Sequence, residues 1–399
     1  MRGESIGRWR GELWNTDKYR VRFRSCDKRF SSVEFLARKE RYWFKKAHFL
    51  AKMFRNCTFC MLILKNQYRL GILYLTELPI VRKALGARPD HLIRSFFLSE
   101  GFMAILKKPL SFSDQLTRIK DHNIEVNDNA KALAALKEKG YYRLTGYALT
   151  YRKSQNDSDC KDGTLFSDIL QLYQFDTELR HILRKYLEIA EVYYKTQIAN
   201  GFALSKCTVP PYDQHYNDQN YYRKKDFNDI ISSFRRQRNY YKDSLIVKHH
   251  DSKYGGKMPL WVVTELLSFS NTSKLYNSMF TGEKTIIANM IGTSPNYLSN
   301  HLHCLSVLRN KCSHGARLYD TVFMPSVRFN PTFSRKNPQV RNDTLFAYVL
   351  ILVKRLPDRT TRTEFCNELD SLIQKYAAVI EMNRIGFPSD YKRILNNNL

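Results

Sequence analysis

The chain has 399 residues, enough for about two or three domains with ordinary cores, and its 43% hydrophobic content excludes a disordered polymer. Glycine is scarce, 16 residues or about 4% against a usual ~7%, which disfavours a Gly-rich nucleotide-binding α/β fold and points to helices. The 65 basic residues against 38 acidic ones leave a net charge of +27, which calls for a polyanionic partner, nucleic acid before an anionic membrane surface.

Residues 1–102 hold 22 Lys and Arg against 9 Asp and Glu and show no sustained helical or strand period. This segment reads as a basic N-terminal extension of uncertain structure. Met103-Ala104-Ile105-Leu106 then resembles an ordinary protein start, so the expected start lies near Met103. Cys57-x-x-Cys60 has no second ligand pair nearby, and the eight scattered cysteines read as reduced thiols of a cytoplasmic protein. The longest apolar run, Leu70 to Val81, is broken by Glu77 and Pro79, too short and too polar for a membrane span.

From Met103 the helix signals are regular. Ser111 or Ser113 caps a helix to about His122, and Asn127 caps the next through Lys139, which Gly140 ends. Tyr141 to Tyr147 reads as an aromatic connector. Thr164 opens a long helix to about Leu204. A loop with Pro210-Pro211 precedes a basic helix from Asp226 to Val247. Pro259 starts a helical pair reaching Phe280, and Ser294-Pro295 launches a helix to about Ser313. Two more helices cover roughly 343–356 and 362–383.

On the long helix Ile169, Tyr173, Leu183, Leu187, Tyr194 and Ile198 form one apolar stripe at 100° per residue. Asp176, Arg180 and Glu191 fall in the same stripe. A charge facing a core must be paired, because desolvating it alone is expensive. Asp176 and Arg180 at i and i+4 satisfy one another. Glu191 reads as lacking a local partner and so seeks a distant cation. The helix ending at Ser313 offers one: Arg309 lies among Leu298, Leu302, Leu305 and Cys312. His303, Val307, Asn310 and His314 share its other face. Arg309 and His314 are five residues apart, about 140° around a straight helix, and are expected to converge only if the helix ends near Ser313.

A histidine near neutral pKa takes a proton from a 2′-hydroxyl, and an arginine steadies a phosphate as negative charge builds, so Arg309, Asn310 and His314 have the groups for metal-free RNA cleavage. Along the helix of 226–247, Phe227, Ile230, Phe234, Tyr241 and Leu245 are expected as the apolar face. Arg223, Lys224 and Lys225 before it, with Arg235, Arg238 and Lys242 along its edge and Tyr240 and Tyr241 at its end, are the candidate RNA-binding residues, suited to phosphate contact and base stacking.

The run Leu308-Arg309-Asn310-Lys311-Cys312-Ser313-His314-Gly315-Ala316-Arg317-Leu318 resembles the R-x(4–6)-H signature of HEPN ribonucleases. More narrowly it resembles the Abi (abortive infection) family, AbiD/AbiF-like, whose motif reads RN-x-x-(A/S)H-x-x-R-L. Residues 135–147 (ALKEKGYYRLTGY), 166–180 (FSDILQLYQFDTELR) and 258–267 (MPLWVVTELL) resemble further blocks of that family in the same order. Tyr319-Asp320 departs from the Trp-Asn often found after the motif, which leaves substrate details open.

The resemblance implies an all-α, HEPN-like helical bundle with additional helices: 103–320 as the Abi-like domain, and 321–399 as C-terminal helices packing on it. It implies a homodimeric, metal-independent endoribonuclease of phage defence that cuts by 2′-hydroxyl attack and needs no cofactor. Arg309 and His314 would be the catalytic pair with Asn310 beside them, supported by Glu191, Asp176, Arg180 and Arg317. RNA would be the partner, as substrate and as a bound non-coding RNA. The alternative is a module that holds a structured non-coding RNA without cutting it.

Overall fold

The computed structural model describes residues 106–154 and 156–397, together with the backbone of 18–23 and 33–38. The chain divides into two compact units, Met1–Lys108 and Pro109–Leu399. In the first, β1 (Lys18–Phe23) and β2 (Val33–Arg38) form an antiparallel ladder pairing Lys18 with Arg38 and Phe23 with Val33. The expected start near Met103 and the Cys57–Cys60 pair lie outside the described residues.

The second unit is helical. Helix α1 (Phe112–Asp121) opens on a capping box in which the Ser111 hydroxyl accepts from the Asp114 amide and the Asp114 carboxylate accepts from the Ser111 amide. Helix α2 (Asn129–Lys139) is capped by Asp128, one residue after the expected Asn127: the Asp128 carboxylate accepts from the Lys131 amide. Gly140 ends α2. The aromatic stretch after it, expected as a connector, is helix α3 (Tyr141–Ala148), because Leu144, Tyr147 and Ala148 at i, i+3 and i+4 bury one face.

The axis of the unit is α4 (Phe166–Lys206), 41 residues long. Phe166, Ile169, Phe175, Leu183, Tyr186, Leu187, Ala199 and Phe202 are all buried along it, spread over more than half of its circumference. A helix apolar on so much of its circumference must be surrounded. Around it pack α3, α7 (Leu260–Leu266), α8 (Phe269–Ser278), α9 (Thr281–Met290), α10 (Pro295–Ser313), α12 (Leu345–Arg355) and α13 (Arg359–Lys375). The single helix expected over 226–247 is two, α5 (Lys224–Tyr240) and α6 (Leu245–Tyr254), because the Ser244 hydroxyl caps a new start by accepting from the Val247 amide. Tyr241 and Leu245 therefore leave the apolar face and are exposed, while Phe227, Ile230 and Phe234 stay buried.

Helices α9, α11 (Pro331–Lys336) and α14 (Tyr391–Asn396) were not expected from the sequence. Residues 321–397 belong to the same compact unit as α1–α10. Among the described residues no helix is long and apolar enough to cross a membrane.

Candidate functional site

Leu298, Leu302, Leu305 and Cys312 anchor α10 in the core, and Arg309 lies on the edge of that face. The Arg309 Nε donates to Glu191 Oε2 at 3.1 Å. This is the long-range pairing expected of a core-facing glutamate. Contrary to the expectation from sequence, Glu191 also has a local partner: Lys195, one turn on, places Nζ 3.1 Å from Oε1. The Glu191 and Lys195 side chains are 11% and 10% exposed, whereas that of Arg309 is 36% exposed. The carboxylate thus fixes Arg309 through Nε alone. Among the described residues its terminal nitrogens have no hydrogen-bond acceptor, so they are free to meet an anion. Beside it the Asn310 amide donates to the Ser270 hydroxyl of α8 at 3.0 Å.

Helix α10 ends where expected, at Ser313, and the manner of its ending sets His314. Gly315 takes φ +63°, the left-handed conformation open to glycine, and the Ala316 and Gly315 amides donate back to the Lys311 and Cys312 carbonyls at 2.9 and 3.3 Å. His314 precedes this reversal at φ −93°, ψ 9°, so it continues the helical path, and its side chain is exposed. Among the described residues no hydrogen bond joins His314 to Arg309.

The five residues after His314 are clamped. Asp176, fully buried on α4, accepts from Arg180 Nη1 at 2.6 Å, the Tyr147 hydroxyl at 2.7 Å, and the Leu318 and Tyr319 amides at 3.0 Å each. Burial holds the Asp176 carboxyl above the usual carboxylate range, against the smaller opposing pull of Arg180, Tyr147 and the two amides. Burial and then Asp176 push the Tyr147 phenol well above its ordinary range, so Tyr147 remains a donor. Arg180 Nη1 also donates to the Ala316 carbonyl at 3.2 Å, Arg143 Nη1 to Gly315 at 3.0 Å, and Arg317 to the Gly146 carbonyl of α3. Asp176, Arg180 and Arg317 therefore hold the loop that follows His314, and among the described residues none of them bonds Arg309. Tyr147, Arg143, Lys195 and Ser270 were missed by sequence reasoning. Lys195 alone had a local signal, its i+4 spacing from Glu191.

The expected RNA-binding residues are only partly grouped. Lys225, Arg235 and Lys242 are exposed, and the exposed rings of Tyr240 and Tyr241 meet edge to face, centroids 4.9 Å apart. Arg223 lies 3.6 Å from Asp226, and Lys224 donates to Gln219 at 2.6 Å. Arg238 is not on the free edge: it turns to Asp251 of α6, against Gly256. The thiols of Cys160, Cys207, Cys304, Cys312 and Cys366 are unpaired.

The family described as Abi-like protein matches residues 134–320, a span that contains Asp176, Glu191, Arg309 and His314. No curated protein and no solved structure matches the chain.

Proposed function

The chain belongs to the Abi-like protein family, a family tied to abortive infection, and on that premise we propose that it is a metal-independent endoribonuclease of phage defence. The observation that carries this reading is the state of Arg309. Its Nε is fixed by a buried carboxylate and its terminal nitrogens are open on a half-exposed side chain, one helical turn from an exposed histidine. That is an arginine prepared to grip a phosphate. His314, as general base, removes the 2′-hydroxyl proton; the resulting oxygen attacks the adjacent phosphorus; the bond from phosphorus to the 5′-oxygen breaks and that oxygen takes a proton from water, giving a 2′,3′-cyclic phosphate. Arg309 bears the negative charge that builds on the phosphate oxygens. Asn310, held by Ser270, lines the approach. The net charge of +27 suits RNA as substrate and as a retained non-coding RNA, with Arg235, Lys242, Tyr240 and Tyr241 the best-exposed contacts.

The test is His314→Ala. Truncating an exposed side chain at a helix end removes little packing, so fold and RNA binding should persist while cleavage in EDTA falls by about 10²-fold or more. Undiminished cleavage by the purified variant would falsify the ribonuclease reading. It would leave the second reading, a module that holds RNA without cutting it.

A further inference from the structure

A cavity of about 660 Å³, within the range of small-ligand sites, opens at the N-terminal end of α10. At ~1.5 Å per residue it lies roughly 25–30 Å from His314 along that helix. Its charged lining is one-sided: Arg328, Lys354 and Arg355, with no carboxylate among the described lining residues.

Arg355 is the informative member. It is 5% exposed, yet its hydrogen-bond acceptors are neutral: Nε donates to His301 Nδ1 at 2.9 Å and Nη2 to the Thr293 hydroxyl at 2.8 Å. His301 Nε2 lies 3.0 Å from the Arg328 carbonyl, so that nitrogen carries the hydrogen and Nδ1 is left to accept. Burial, with the Arg355 charge, drives His301 down to about 3, so it stays neutral at any physiological pH. A buried guanidinium without an anion is expensive. Beside it, partial burial of the Lys354 ammonium and the Arg355 charge hold Lys354 below the usual lysine range. An anion entering the cavity relieves both.

Two further features narrow its identity. Ser294, the N-cap residue of the 19-residue α10, makes no side-chain bond to the first-turn amides, which leaves donors at the positive end of the helix. The other wall is aromatic: Phe329 and Phe333 meet with centroids 4.9 Å apart, and Tyr297 stands at the helix start.

We propose that this cavity is a nucleotide site, in which Arg328, Lys354, Arg355 and the start of α10 take the phosphate and Phe329, Phe333 and Tyr297 take the base. The nucleotide is either free or the 5′-phosphorylated end of an RNA strand. The inference is independent of the cleavage chemistry at Arg309 and His314.

Calorimetric titration of the full chain with each ribonucleoside monophosphate, adenosine, inorganic phosphate, and a short RNA with and without a 5′-phosphate tests it. At least one nucleotide, or the 5′-phosphorylated RNA, should bind saturably. Adenosine, phosphate or the dephosphorylated RNA should bind about tenfold more weakly or less well still, as expected when charge-assisted bonds are lost. Arg328 and Lys354 both reach solvent, so the double variant Arg328→Gln/Lys354→Gln should fold, with its melting temperature as the control, and should lose about tenfold in affinity or more. Preference for a monophosphate assigns the free nucleotide, and preference for the phosphorylated strand assigns the RNA end. Absence of saturable binding for both, binding that ignores the phosphate, or an unchanged affinity in the folded double variant overturns the proposal.

Discussion

Removing Arg309 and removing Glu191 break the same bond, but the consequences differ because the two side chains are buried to different depths. Without Arg309, Glu191 still has Lys195 at 3.1 Å, and the missing partner was 36% exposed. Such a half-exposed pair is worth about 1 kcal/mol or less. Without Glu191, the Lys195 side chain is left 10% exposed and uncompensated, a loss on the order of 3 kcal/mol. Urea denaturation of Arg309→Ala and Glu191→Ala should therefore separate them by about 2 kcal/mol, with cleavage lost in both. Equal destabilisation would mean that Arg309, not Lys195, neutralises the glutamate. At this scale the charges in the apolar stripe of α4 were legible, since periodicity alone put Asp176, Arg180 and Glu191 on a buried face. The Lys195 partner was overlooked because lysine is normally a surface residue. The donors to Asp176 from 318 and 319 were out of reach, since they come from backbone amides more than 140 residues away.

Among the elements, α4 is the one on which the others depend, and Gly201 marks its closest approach to a neighbour. A Cβ there would stand 2.6 Å from Cγ1 of Ile287 on α9 and 3.2 Å from the Met290 sulfur. Ile287 is buried and β-branched, so the atom met is near its backbone and cannot swing aside. Alanine would gain up to about 1 kcal/mol in helix propensity, but overpacking costs about 1–3 kcal/mol. Gly201→Ala should thus lower the melting temperature by several degrees, and a rise in it would show that α9 shifts freely. The elements that sequence reasoning missed share a cause. Helix α9 begins without a side-chain cap, so nothing announces it. The division of α5 from α6 turns on Ser244, whose capping bond competes with an otherwise continuous helical pattern. By contrast Ser294-Pro295 and the Gly315 reversal, both rooted in backbone stereochemistry, set the limits of α10 where the sequence suggested.

For the whole molecule the governing geometry is that Arg309 faces α4 while His314 leaves the end of α10 toward solvent. Five residues of α-helix carry the two side chains about 140° apart, and His314 keeps the helical path until Gly315 reverses it. If both act on one phosphate, as proposed, the simplest arrangement supplies one from each of two copies related by a two-fold axis. Such a dimer contains two composite sites. Co-expressing Arg309→Ala with His314→Ala chains then gives heterodimers in which one site carries both lesions and the other carries neither. With random pairing half the dimers are mixed and each has one working site of two, so the mixture should recover about a quarter of wild-type cleavage although neither variant cuts alone. The measurement is the initial cleavage rate of the co-purified mixture, with each variant alone as the baseline. Recovery near that level requires His314 of one chain to work with Arg309 of another. A mixture as inactive as its components would instead require each chain to bring its own Arg309 and His314 together, and so the end of α10 to unwind before Ser313 when RNA binds.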